Sequence, residues 1–143
     1  ESGKYGQGFA TAERIQASML DMAYHVIKEI PADFDIIKFE ESVIKRLGAL
    51  SQIPPRYRTT YFNHTMGGGY TAGYYSYMWA EVLDADAYQA FIETGNIFDS
   101  ETAAKFRKYV LTPGGIEDAM VMYTNFRGAE PGVEPLLKNR GLN

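Results

Sequence analysis

The sequence contains no cysteine, so disulfides and thiolate metal sites are closed to it. This absence does not fix a compartment. It has two histidines, His25 and His64, and neither stands in an HExxH pattern. The two-histidine zinc helix is therefore missing. Basic residues are in the minority, 14 against 18 acidic, and the net charge of −4 argues against general nucleic-acid affinity. No apolar run reaches the roughly 20 residues that a membrane span needs. Strand-like alternation, a fixed-period repeat and low-complexity tracts are also lacking. The chain opens Glu1-Ser2-Gly3-Lys4, with no initiator methionine, signal-like apolar run or targeting motif. It reads as a piece of something longer, or as a processed chain.

What is present is helical. The 143 residues, 45% of them apolar, suffice for one compact domain with a real core. From Gly8 to Glu29, Phe9, Ala12, Ile15, Met19, Met22, Ala23, Val26 and Ile30 recur at helical steps until Pro31 stops them. These residues cover much of the circumference, so the first helix is the expected place for an exposed apolar patch. A second helix is predicted over Asp35–Leu50, before Ile53-Pro54-Pro55 breaks the pattern. Residues 56–69 read as irregular. Helices follow over Thr71–Leu83 and Asp86–Glu93, with room for a kink between them, then a Gly95 cap. Asp99 or Ser100 caps a helix over Glu101–Val110. Two more are expected over Ile116–Phe126 and Val133–Asn139, the last closed by Gly141. The fold class is all-α, with five to seven helices.

One stretch departs from ordinary core: 63-NHTMGGGYTAGYYSYMWAEV-82. Gly67, Gly68 and Gly69 stand in a row between His64 and a bank of tyrosines. On a helix, Tyr70, Tyr74, Tyr77 and Glu81 share one face, while Tyr75, Met78, Trp79 and Val82 fall on the other as core. Phenols donate hydrogen bonds while staying neutral at pH 7, which suits a site that holds a developing oxyanion. His64 adds a donor or a proton carrier. The glycines let a loop close over a ligand or approach it closely. The plainer alternative is a glycine linker followed by core tyrosines with wet tips. Spacing alone leaves both open.

The same stretch, His64 to Glu81, resembles the C-terminal signature of the thimet oligopeptidase and peptidyl-dipeptidase family of zinc metallopeptidases. Gly8-Phe9-Ala10-Thr11, Leu20 to His25, Phe106 to Leu111, Phe126 to Pro131 and Leu136 to Leu142 resemble further family segments, in family order. The resemblance covers nearly all of 1–143. It implies the helical C-terminal portion of a zincin-like oligopeptidase catalytic domain. The step of six from His64 to Tyr70 is similar to the peptidyl-dipeptidase branch.

By position, the resemblance implies that His64, Tyr70 and Tyr77 are catalytic, contacting substrate and stabilising the tetrahedral intermediate. Gly67, Gly68, Gly69 and Tyr74 would bind substrate, Tyr74 in a supporting role. The cofactor would be zinc, with its ligands and the general-base glutamate upstream of Glu1. No metal ligand is expected within this chain, and alone it is expected to be inactive. The implied partners are short peptides and the missing upstream part of the polypeptide, with no nucleic acid and no membrane, in the cytoplasm. Release of C-terminal dipeptides is the leading reading. An endo-oligopeptidase of the same family and a non-enzymatic helical peptide-binding module are the alternatives. Asp21 and His25, four apart on the first helix, read as a packed histidine bonded to a carboxylate rather than a metal pair. Arg56, Arg58 and Arg127 are basic candidates for a substrate carboxylate, each better read as structural. Glu81 either orients Tyr77 or is solvated.

Overall fold

The computed structural model describes residues 2–142. Among these, all regular structure is helical and no strand is present. The α-helices are α1 (Gln7–His25), α2 (Ile36–Arg46), α3 (Asn63–Met66), α4 (Ser76–Glu93), α5 (Ser100–Phe106), α6 (Ala119–Arg127) and α7 (Glu134–Arg140). Short 3-10 turns occupy Ser2–Lys4 and Thr59–Tyr61. Arg107–Leu111 forms a π-type turn, in which the Thr112 N–H reaches back to the Arg107 carbonyl at 2.9 Å. The chain divides into two compact units after Tyr77.

Most helix ends are set by local chemistry. The Asp35 carboxylate accepts from the amides of Ile37 and Lys38, so Asp35 caps α2 rather than belonging to it. Asp99 accepts from Thr102 N–H at 2.8 Å, and Asp118 from Met120 and Val121, so α6 starts three residues later than the apolar pattern predicts. Gly95 and Gly141, both at positive φ, close α4 and α7 as expected. The apolar pattern of the second helix runs through Gly48 to Leu50. At φ 64°, however, Gly48 closes α2, which therefore ends at Arg46. The first helix also ends early, at His25: two β-branched residues follow, and Pro31 bars Ile30 from the helical region.

In the first unit, Ala17, Phe62 and Tyr74 form the buried centre, with Tyr57 packed against them. Glu40 is buried on α2 and takes hydrogen bonds from the Thr59 amide (2.7 Å), the Thr59 hydroxyl (2.7 Å) and the Arg58 guanidinium. This carboxylate ties α2 to the segment that leads into the glycine turn. α1 packs with an unusual polarity. Its buried residues are Gln16, Ala17, Ser18, Leu20 and Asp21. Ile15, Met19, Met22 and Val26, one stripe on the opposite side, are exposed.

In the second unit, Ala87, Tyr123 and Phe126 form the core, with Leu83, Phe91, Phe106 and Tyr109 around them. α4 runs unbroken from Ser76 to Glu93, without a kink. Buried Asp86 accepts from the Tyr123 hydroxyl (2.7 Å) and Arg127 Nε (3.2 Å), while the other Arg127 nitrogens chelate Glu93 at 2.8 Å each. Burial first, then the bond to Asp86, raises the Tyr123 phenol well above its ordinary value.

Replacing Asp86 with Ala leaves the Tyr123 hydroxyl only its longer bond to the Leu83 carbonyl (3.3 Å) and takes the acceptor from Arg127 Nε, whose other nitrogens keep Glu93. We expect a loss of about 2–4 kcal/mol in urea unfolding. Tyr123→Phe leaves the Arg127 bond in place and should cost only about 1 kcal/mol. Equal costs for the two variants would contradict the view that Asp86 joins two separate donors.

Candidate functional site

The residues singled out in the glycine–tyrosine stretch do come together, all within the first unit. The His64 ring lies 5.7 Å from Tyr70, 5.6 Å from Tyr74 and 6.2 Å from Tyr77, centroid to centroid. Tyr70 and Tyr77 stack at 4.9 Å with 23° between their planes. Tyr74 meets Tyr77 edge-on at 5.2 Å.

The cluster is not the helical ladder that spacing suggests. Residues 70–75 form turns, and α4 begins only at Ser76. The reason is a competing acceptor. Asp21, from α1, takes the amides of Ala72 (3.0 Å) and Tyr74 (2.9 Å), and Ala72 sits at φ 54°, outside the helical region. A helix from Thr71 would direct those amides elsewhere. The two sides of the stretch are also revised. Tyr74 is 5% exposed and belongs to the core, whereas Tyr70 and Tyr77, at 38% and 39%, present their rings to solvent. Tyr75 and Trp79, expected in the core, are exposed. Glu81 is paired with Arg140 and so is not simply solvated.

The glycine run is a tight turn and not a loose hinge. Gly67 N–H bonds to the Asn63 carbonyl (3.0 Å), and Tyr70 N–H bonds to the His64 carbonyl (3.1 Å). A Cβ on Gly68 would stand 2.8 Å from the His64 carbonyl oxygen and 3.1 Å from that of Asn63. A Cβ on Gly67 would meet Asn63 Oδ1 at 2.8 Å, whereas one on Gly69 would meet nothing within 4 Å. Thus Gly68 is required by close backbone approach, and Gly69 is not. Among the described residues, no acceptor meets the amides of Gly68 and Gly69.

The Tyr70 phenol beside it, then partial burial, pushes the Tyr77 phenol up to about 12, which keeps it protonated. The Tyr74 phenol is raised as well, first by burial and then by Tyr57 beside it. The site thus offers neutral phenols at physiological pH, with a half-buried imidazole among them.

Sequence reasoning missed Tyr57. It stacks on Phe62 (5.2 Å, 14°) and lies 4.9 Å from His64, completing the aromatic wall. It sits in an irregular segment where no periodicity marks it. Arg56 lies 5.8 Å over the Tyr57 ring and bonds to Glu13 Oε1 at 3.1 Å. Arg58 serves Glu40, and Arg127 serves Asp86 and Glu93. All three arginines are in structural pairs.

No zinc site fits these residues. His25 Nδ1 lies 3.0 Å from Asp21 Oδ1, the expected packed pair, but other donors occupy both oxygens of that carboxylate. Among the described residues, no three His, Asp or Glu side chains converge.

The sequence has counterparts among known proteins. The profile of Peptidase family M3 matches residues 1–142. A dipeptidyl carboxypeptidase of Escherichia coli is 40% identical over 140 residues, 97% of this chain and 20% of that protein. Oligopeptidase A of Haemophilus influenzae is 51% identical over 81 residues, 57% of this chain and 12% of that protein. Saccharolysin of Saccharomyces cerevisiae is 29% identical over 137 residues, 92% of this chain and 18% of that protein. An all-helical domain with relatives of this kind falls in the class of the peptidases. The chain belongs to peptidase family M3. It spans about a fifth of the length of the first of these relatives.

The glycine turn yields a contrast. Gly68→Ala should destabilise the protein by about 1–3 kcal/mol, the cost of forcing an atom into a packed turn. Gly69→Ala should stay within about 0.5 kcal/mol of the parent. Thermal unfolding of both variants checks this, and equal midpoints would show that the turn yields easily.

Proposed function

We propose that this chain supplies the substrate-binding and oxyanion-stabilising part of a zinc metallopeptidase that hydrolyses short peptides, releasing C-terminal dipeptides. The carrying observation is the stacked Tyr70–Tyr77 pair beside His64, and the raised Tyr77 phenol that goes with it. Zinc, with its ligands and the general-base glutamate, belongs to the rest of the polypeptide, and the water-activating chemistry is supplied there. The exposed stripe of Ile15, Met19, Met22 and Val26 supports this division, since it offers an apolar surface to such a missing part. The setting of this reading is the cytoplasm. Among the described residues, no helix is long and apolar enough to cross a membrane.

The work of this chain's own residues follows from the geometry. When a peptide carbonyl becomes tetrahedral, its oxygen gains charge and becomes a far better acceptor than a phenol oxygen. The Tyr77 hydroxyl, its ring fixed by the stack on Tyr70, then donates to the oxyanion. The donor is already oriented, so little reorganisation is needed. Tyr70, directly after the glycine turn, and His64 hold the substrate backbone. The open amides of Gly68 and Gly69 suit the free carboxylate of the substrate. Capture of that carboxylate would make the cut fall two residues from the end.

Dipeptide release is favoured by the match along 97% of the chain to a dipeptidyl carboxypeptidase. An endo-oligopeptidase is the second reading, favoured by the higher identity to oligopeptidase A over 81 residues. A peptide with an amidated C-terminus separates them, because only the second activity cleaves it.

The test uses steady-state kinetics of the full-length enzyme. Tyr77→Phe should lower kcat on the order of 10²–10³-fold with little change in KM, the range for removing one oxyanion donor. Tyr70→Phe should affect KM as well as kcat, because ground-state binding also suffers. Tyr75→Phe, on an exposed ring outside the cluster, should change neither. A near-normal kcat for Tyr77→Phe would return the phenols to a packing role.

A further inference from the structure

The Asp21 carboxylate carries more bonds than a packed partner of His25 needs. Its side chain is fully buried on α1. Oδ1 accepts from the Thr65 hydroxyl at 2.5 Å and the Ala72 amide at 3.0 Å, and Oδ2 accepts from the Tyr74 amide at 2.9 Å. His25 Nδ1 lies 3.0 Å from Oδ1 and 2.7 Å from the Asp21 carbonyl oxygen, so that nitrogen bears the proton. Three donors from two segments therefore meet on one carboxylate, with the His25 ring beside it.

The places where they attach matter. Thr65 directly follows His64. Ala72 and Tyr74 lie between Tyr70 and Tyr77. Ala72 is the only non-glycine at positive φ among the described residues. An alanine there is strained, and its amide bond to Asp21 opposes that strain. The grip thus spans both arms of the glycine turn. Thr71 adds a brace, its hydroxyl donating to the Thr65 carbonyl at 2.9 Å.

We infer that Asp21 is a positioning residue for the reaction, setting the spacing of His64, Tyr70 and Tyr77 by holding both arms of the turn that carries them. This rests on the proposed role of those three side chains. Asp21 itself does not reach the open face. Its carboxylate is suited to the task because all its partners donate. An asparagine would turn its amide hydrogens toward one of them and set two donors head to head.

The test compares the full-length enzyme with Asp21→Asn, Thr65→Val, Tyr77→Phe and the double variant Asp21→Asn/Tyr77→Phe. The first readout is amide hydrogen exchange over residues 64–76, which is independent of activity. Faster exchange there in Asp21→Asn, with α2 and the body of α4 still protected, is expected. Thr65→Val removes one donor from the same carboxylate with little change in volume, and should act in the same direction more weakly. It also serves if Asp21→Asn fails to fold. The second readout is kinetic. Asp21→Asn should lower kcat on the order of 10²-fold, the effect of a misplacement of about 1 Å. Its effect should be much smaller in the Tyr77→Phe background, where the hydroxyl it positions is already gone. A protein weakened only in stability would instead show additive losses. Unchanged exchange over 64–76 in both Asp21→Asn and Thr65→Val, or full additivity in the double variant, overturns the inference. A loosened loop with a normal rate for Tyr77→Phe would sink the assigned role of Tyr77 and leave the anchoring intact.

Discussion

A single buried carboxylate organises the part of this molecule where chemistry is expected. Asp21 stands on α1 with no exposed surface, where an ion without partners would be very costly. It is tolerable because hydrogen bonds from Thr65, Ala72 and Tyr74 replace its water, with the His25 ring close by. Glu40 repeats the device on α2, collecting the Thr59 amide and hydroxyl and the Arg58 guanidinium. The chain between α2 and α4 sends Phe62 and Tyr74 into the buried centre, with Tyr57 against them. Two acidic side chains, on α1 and α2, fix the backbone around those anchors. Removing either acceptor would leave several buried donors stranded at once, so the loop geometry is specified more sharply than apolar contacts alone would achieve.

This design explains what could be read from the sequence and what could not. The Asp99 cap acts on an amide three residues away and is visible in a short window, whereas the apolar patterns run over Asp35 and Asp118 and hide the caps there. The start of α4 is different. Spacing places Tyr70 on a helix, but the amides that such a helix would need are taken by Asp21, more than fifty residues back. No local window contains that information. The convergence of Tyr70, Tyr74 and Tyr77 was legible, although by turns and not by one helix face. Tyr57 was not legible, because its place in the aromatic wall depends on Phe62 and His64 packing against it.

The first helix carries a related lesson about periodicity. Its apolar residues do form a stripe, as the helical repeat requires. Yet the face turned toward the rest of the first unit is the one with Gln16, Ser18 and Asp21, joined by Ala17 and Leu20. Gln16 Nε2 donates to the Ile53 carbonyl at 2.9 Å, and Asp21 grips the tyrosine loop, so this polar face makes specific bonds, with Gln16 Oε1 alone left without a partner among its buried side-chain atoms. An apolar stripe tells that one side of a helix prefers burial. It says nothing of which partner provides it. Here the chain uses the polar side for geometry and leaves Ile15, Met19, Met22 and Val26 uncovered.

The tyrosine pair shows why neutrality is useful at such a place. A lysine or arginine aimed at the same spot would attract any carbonyl or carboxylate, and so would stabilise the bound substrate as well as the transition state. Uniform stabilisation of both does not raise kcat. A neutral phenol behaves otherwise. The Tyr77 phenol is pushed up to about 12, first by the Tyr70 phenol beside it, and so stays protonated. In the proposed role, a neutral peptide carbonyl gains little from it. An oxyanion gains much more, because hydrogen bonds to a charged acceptor are roughly twice as strong as neutral ones. The aim of that hydroxyl depends on the rings staying stacked at 4.9 Å, and so on the turn that Asp21 holds.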